Sequence, residues 1–224
     1  LWWRVMSARR ISDSQASSLP GPAIHTFGYV VYAGLAAICA LYGIAIMRAV
    51  TLVEGVARAR VAGWARPALG GLLLIPIAAW SPQVLSAGHS ALHIDMMSAL
   101  PLGFIAAVLL AKSLASIVSL GFGFRGGLFF ASLFLGTLVG HLYADGLAWA
   151  VGFPILDPAN AALVGMAALA VAVVGGPFTR AMLVLEATGN FSLTGAVLAA
   201  SLVASTMVRE LFGYSFSTWR LHLR

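Results

Sequence analysis

Charged side chains are scarce in this sequence, and their scarcity determines its class. Only 9% of the 224 residues are Asp, Glu, Lys or Arg, 61% are hydrophobic, and the mean hydropathy is +0.96. Soluble domains carry charge on about a quarter of their residues. The composition therefore excludes a soluble globular domain and predicts an integral membrane protein.

Acidic residues are fewer still, seven against thirteen basic residues, which gives a formal net charge of +6. A basic balance can indicate nucleic-acid binding, but here the arginines stand at the ends of apolar segments. That placement is typical of topology signals, because cytoplasmic loops of membrane proteins are enriched in Lys and Arg. We expect no nucleic-acid partner, and we place on the cytoplasmic side one short connection that holds Arg48, Arg58, Arg60 and Arg66.

Cysteine occurs once, at Cys39, so the chain can form no internal disulfide. Cys39 lies within an apolar run, where a lone thiol behaves as a small hydrophobic side chain. No cleavable signal peptide is visible at the beginning of the sequence. Residues 1–23 are polar and irregular, and we expect them to be the remnant of a loop from a longer polypeptide.

The sequence contains long runs without any charged residue. A membrane span needs about 20 apolar residues, and four runs are long enough to cross or nearly cross a bilayer: 14–47, 67–94, 158–179 and 187–208. Glycine and proline interrupt several of the predicted helices, a pattern typical of discontinuous helices around a binding site. We therefore predict an all-α polytopic membrane domain over 24–224. Its helices, some discontinuous or re-entrant, are expected at 24–50, 64–80, 101–119, 127–151, 159–174, 177–186 and 194–211.

Glycine is concentrated in the segment Gly121-Phe-Gly-Phe-Arg-Gly-Gly-Leu-Phe-Phe-Ala131. It contains four glycines and a single charge, that of Arg125, and it leads into a predicted helix. Glycine lets the backbone turn sharply, and the first N–H groups of a helix have no partner inside that helix. Such a helix start carries partial positive charge and binds anions. We expect this segment to form part of an anion pathway at membrane depth.

Several stretches, in order along the chain, resemble the CLC family of chloride channels and chloride/proton exchangers. The stretches are Val84–His93, Gly126–Thr137, Gly165–Leu169 with Gly176–Thr179 and Leu183–Thr188, and Gly213–Trp219. The resemblance covers residues 24–224 and only the second of the family's two inverted halves. It implies the second half of the CLC inverted-repeat fold, with the N-terminal half as a required partner.

The resemblance also implies where an anion would be held. It assigns the central chloride to the backbone N–H groups of Leu128 and Phe129, next to Gly127. Three further residues would lie near the pore: Arg125, Gly126 and Phe130.

A second contact to the anion comes, in the family, from a tyrosine near the end of the chain. That tyrosine aligns with Phe216, or with Tyr214 after a shift of two residues. With Phe216 at the pore, the hydroxyl contact to the anion would be absent.

Self-association is a further implication of the resemblance. Small residues dominate 194–206 and would let helices approach closely. The corresponding family helices form a homodimer contact, which here would include Leu183, Glu186 and Val203. A carboxylate in an apolar helix is costly unless it is paired. We therefore expect Glu186 to be hydrogen-bonded or ion-paired, with Arg180 or Arg209 as partner.

The function implied is transport of chloride, with or without protons, by a homodimer in the inner membrane of a cell. Chloride is then the substrate ion, and we expect no cofactor and no enzymatic activity. Channel and exchanger remain open alternatives, as does a truncated membrane scaffold that transports nothing. Another alternative is an intramembrane metalloenzyme that uses His89, His93 and Asp95, because histidines four residues apart share one face of a helix.

Overall fold

The computed structural model describes residues 26–80, 102–124, 128–189 and 193–212, and within them all regular secondary structure is helical. We number the helices in chain order: α1 (Thr26–Arg60), α2 (Arg66–Trp80), α3 (Leu102–Gly121), α4 (Leu128–Val151), α5 (Pro158–Val174), α6 (Pro177–Thr188) and α7 (Thr194–Phe212). The predicted all-α class is confirmed. The breaks that precede α5 and α6 lie where proline and glycine predicted them.

In the described part of the chain, four helical segments are long and apolar enough to cross a membrane: Gly28–Arg60, Leu102–Gly121, Phe129–Val151 and Thr194–Leu211. Helices α5 and α6 contain 17 and 12 residues, which corresponds to ~25 Å and ~18 Å at the rise of an α-helix. Both are shorter than the hydrocarbon core of a bilayer, about 30 Å. The fold therefore combines full spans with short helices, as expected for discontinuous elements.

Helix α1 is longer than the sequence predicted. We expected Arg48, Arg58 and Arg60 in a connection, but the helix continues through all three residues. Glu54 and Arg58 form an ion pair of 2.6 Å one turn apart, which stabilises the added turns. Basic side chains in a last turn also complement the negative end of the helix dipole. The connection itself is only 61–65.

Helix α5 lies at the centre of the described helices. It packs against α1, α4, α6 and α7, and every residue from Ala161 to Val173 is buried. A helix that is apolar on all sides is surrounded either by other helices or by lipid, and here other helices cover it. Its many alanines allow these neighbours to come close.

Helices α4 and α5 approach so closely that backbone meets backbone. A Cβ atom on Gly136 would lie 2.5 Å from the carbonyl oxygen of Gly165, and a Cβ atom on Gly165 would lie 2.5 Å from the carbonyl oxygen of Gly136. Gly140, one turn further along α4, meets the backbone of Ala161 and Ala162 in the same way. Gly136 and Gly140 form a Gly-x-x-x-Gly face, which brings helices together in membranes.

Replacing Gly136 by alanine tests this contact. The added methyl group would overlap the backbone of α5, and overpacking of this kind costs about 1–3 kcal/mol. We expect Gly136→Ala to lower the melting temperature in detergent, measured by tryptophan fluorescence. Gly146→Ala is the matched control, because a Cβ atom there meets nothing within 4 Å on the same helix. Equal melting temperatures for the two variants would contradict the close contact.

Candidate anion-binding site

The chain reaches the candidate site through a turn that follows α3. Gly123 has a φ of 95°, a left-handed conformation that glycine adopts without steric cost. The N–H of Phe124 donates a hydrogen bond of 3.0 Å to the carbonyl oxygen of Ser119. On α2, a Cβ atom at Gly70 would lie 2.7 Å from the Cβ of Phe122. The turn is therefore fixed against α2.

Helix α4 begins at Leu128, within one residue of the predicted start. The first N–H groups of a helix have no acceptor inside it. Among the described residues, no carbonyl outside the helix accepts a hydrogen bond from Leu128 or Phe129. The hydroxyl of Ser132 donates to the carbonyl oxygen of Phe129 at 2.7 Å, so it does not occupy these N–H groups. The start of α4 therefore offers backbone donors with partial positive charge.

The two phenylalanines at this helix start have different surroundings. Phe129 is half-buried and packs against the hydrophobic core, whereas the side chain of Phe130 is 47% exposed. Their rings meet edge to face, with centroids 5.4 Å apart. The core thus anchors Phe129, and with it the backbone that carries the N–H donors.

Arg180 of α6 brings a positive charge to the same place. Its guanidinium carbon lies 4.6 Å from the centroid of the Phe129 ring, within cation–π range. Gly175 and Gly176 precede α6 with φ values of 82° and 73°. These left-handed residues turn the chain sharply, so that α6 packs back against α5. Sequence pattern alone did not place Arg180 at the site, because the contact joins residues far apart in the chain.

Part of the predicted anion site lies outside the described residues. This holds for Arg125, Gly126, Gly127, Tyr214 and Phe216, whose roles stay predictions.

The residues of the metalloenzyme hypothesis, His89, His93 and Asp95, also lie outside the described part of the chain. Within that part, no three His, Cys, Asp or Glu residues are grouped closely enough to hold a metal ion. The metalloenzyme hypothesis therefore gains no support from the described residues.

The predicted dimer residues lie on α6 and α7. Leu183 and Glu186 are exposed, and Val203 is partly buried, so their role in a dimer stays a prediction.

Among the described residues, Glu186 forms no ion pair with Arg180 or Arg209. Helical geometry explains why Glu186 does not pair with Arg180. The two residues are six positions apart on α6, and such positions point roughly 120° away from each other around a helix.

The different burial of the two phenylalanines leads to a prediction. Phe129→Ala removes a ring that packs against the core and under Arg180, so we expect it to destabilise the protein by about 1–3 kcal/mol, less than for a fully buried ring. Phe130→Ala should have a smaller effect, because that residue is about half exposed and Phe129 is more deeply packed. Melting temperatures of both variants in detergent check this order. A larger loss for Phe130→Ala would show that the packing of Phe129 does not hold the helix start.

Comparison with known families gives a match over most of the chain. A family model described as voltage gated chloride channel matches residues 5–209. A voltage-gated ClC-type chloride channel ClcB from Citrobacter koseri is 34% identical over 146 residues, which are 64% of this chain and 34% of that protein. ClcB from Escherichia coli strain SMS-3-5 is 32% identical over 157 residues, or 69% of this chain and 37% of that protein.

A solved structure supports the same fold. The crystal structure of a slow cyanobacterial Cl−/H+ antiporter is similar to this chain with a TM-score of 0.79 and 23% sequence identity. The likeness covers 92% of this chain and 49% of the antiporter chain. The chain thus spans about half the length of the solved structure, and the aligned part is about a third of each curated relative.

Proposed function

The chain belongs to the voltage-gated chloride channel (CLC) family, and from that membership we propose that it carries chloride across a membrane. In this proposal it supplies one half of the anion pathway, and an N-terminal half supplies the other. One observation carries the proposal: α4 begins at Leu128, and among the described residues no carbonyl outside the helix accepts a hydrogen bond from its first N–H groups. An anion is the natural partner of such a helix start.

Backbone donors suit a transported ion because they attract it without holding it permanently. A single exposed helix start contributes about 0.3–1 kcal/mol to an anion, and more when it is partly buried. Several converging starts offset part of the cost of dehydrating chloride. A conducting site must also release its ion, which a full countercharge in direct contact would slow. The N–H groups of Leu128 and Phe129 therefore act as the chloride-binding donors in our proposal.

Apolar surroundings strengthen this interaction. Electrostatic forces are larger in a medium of low dielectric constant than in water, and Phe129 packs into the core beside the donors. In this proposal the ring excludes water from one side of the helix start. We assign Phe129 a double role: its backbone donates to the ion, and its side chain narrows the path.

Chloride flux into or out of liposomes tests the proposal. We expect no efflux from liposomes that contain this chain alone, and rapid efflux when it is assembled with an N-terminal half that carries the family's other pore motifs. A chloride electrode measures the efflux, and a pH electrode in the same vessel separates an exchanger from a channel. Absence of efflux from the assembled protein would reject transport and favour a membrane scaffold.

The location and assembly follow from the same proposal. The bacterial relatives suggest the inner membrane, and the exposed faces of α6 and α7 suggest a contact between two copies.

Leu183→Trp places a bulky ring on the exposed face of α6, so we expect it to weaken dimer formation. Light scattering of the purified protein in detergent measures this. Leu110→Trp, on the exposed side of α3, is the control, and an equal loss in both variants would contradict a contact through α6.

A further inference from the structure

Arg180 occupies an electrostatically unfavourable position in its own helix. It lies in the first turn of α6, and its N–H donates a hydrogen bond of 3.1 Å to the carbonyl oxygen of Gly176. The beginning of a helix is its positive end, where a cation costs rather than contributes stability. Helix formation therefore does not explain an arginine here.

The same side chain also lies beside a second positive helix end. Its guanidinium carbon is 4.6 Å from the ring centroid of Phe129, the second residue of α4. Among the described residues, no carboxylate pairs with Arg180 and no acceptor takes a hydrogen bond from its guanidinium. The guanidinium thus adds a positive charge near the positive start of α4, in an almost uncharged chain.

The Phe129 ring explains how the guanidinium stays at this point. A cation–π contact contributes about 0.5–1 kcal/mol at an exposed site and more when water is excluded. Such a contact orients the charge without neutralising it, unlike an ion pair with a carboxylate. The positive potential of Arg180 therefore remains available to an anion.

We propose that Arg180 is the residue that attracts the transported anion to the start of α4 and sets its affinity. This inference rests on the proposed function, because it assigns a role within the same anion path. The guanidinium acts from a distance through its charge, and the N–H groups of α4 make the direct contacts. Phe129 connects the guanidinium with the N–H groups, since its own backbone N–H is one of the donors and its ring contacts the guanidinium.

Charge-changing variants test the role of Arg180 in the protein assembled with its N-terminal half. Arg180→Gln removes the charge and keeps most of the side-chain length, so we expect the half-saturating chloride concentration for efflux to rise about threefold to tenfold, as when a steering charge is lost. Arg180→Lys retains the charge and should stay closer to the unmodified protein. The effect of Arg180→Gln should shrink as an impermeant salt is added, because salt screens the attraction.

Arg209→Gln is the matched control, because Arg209 is an exposed arginine in the last turn of α7. We expect it to leave the half-saturating chloride concentration unchanged. If the unmodified protein conducts and Arg180→Gln has the same half-saturating concentration, the inference is wrong and the proposed function stands. Equal impairment in Arg180→Lys and Arg180→Gln would also overturn it, since the charge would then be irrelevant. An unmodified protein that carries no chloride would reject the proposed function together with this inference.

Discussion

Close contact between the backbones of α4 and α5 determines the position of the candidate site. Gly136 and Gly165 lack the Cβ atoms that would keep these helices apart, so the height and rotation of α4 against α5 have little freedom. Helix α6 follows α5 after only Gly175 and Gly176. The starts of α4 and α6 are therefore both fixed relative to one central helix, and this common reference brings Phe129 under Arg180.

The distribution of charge around α4 follows from the membrane environment. A buried cation in an apolar medium is costly unless nearby groups compensate it. Among the residues that the structure describes, two cations contact α4 through the faces of its aromatic rings: Arg180 over Phe129, and the buried Lys112 of α3, whose ammonium lies 5.7 Å from the ring centroid of Phe134. Both contacts place a cation over a ring of α4, Arg180 near its start and Lys112 further along it.

Much of the helical organisation could be predicted from the sequence. The starts and ends of α2 to α7 agree with the predicted segments within a few residues, because proline and glycine stand at the breaks. The end of α1 differs from the prediction, because the Glu54–Arg58 ion pair supports a helix through the basic segment that we expect to be a connection. The expected pairing of Glu186 with Arg180 fails among the described residues for a different reason: the two side chains point to different sides of α6.

What the sequence determined by itself is local: hydrophobic runs of sufficient length, glycine where the backbone must turn, and a helix that starts at Leu128, whose first N–H groups have no acceptor inside that helix. These properties depend on residues that are neighbours in the chain. Only the tertiary structure decided that Gly136 meets Gly165 and that Arg180 reaches Phe129. Such contacts depend on how closely helices pack and on the angles at which they leave their turns, and neither quantity is determined by local residue preferences.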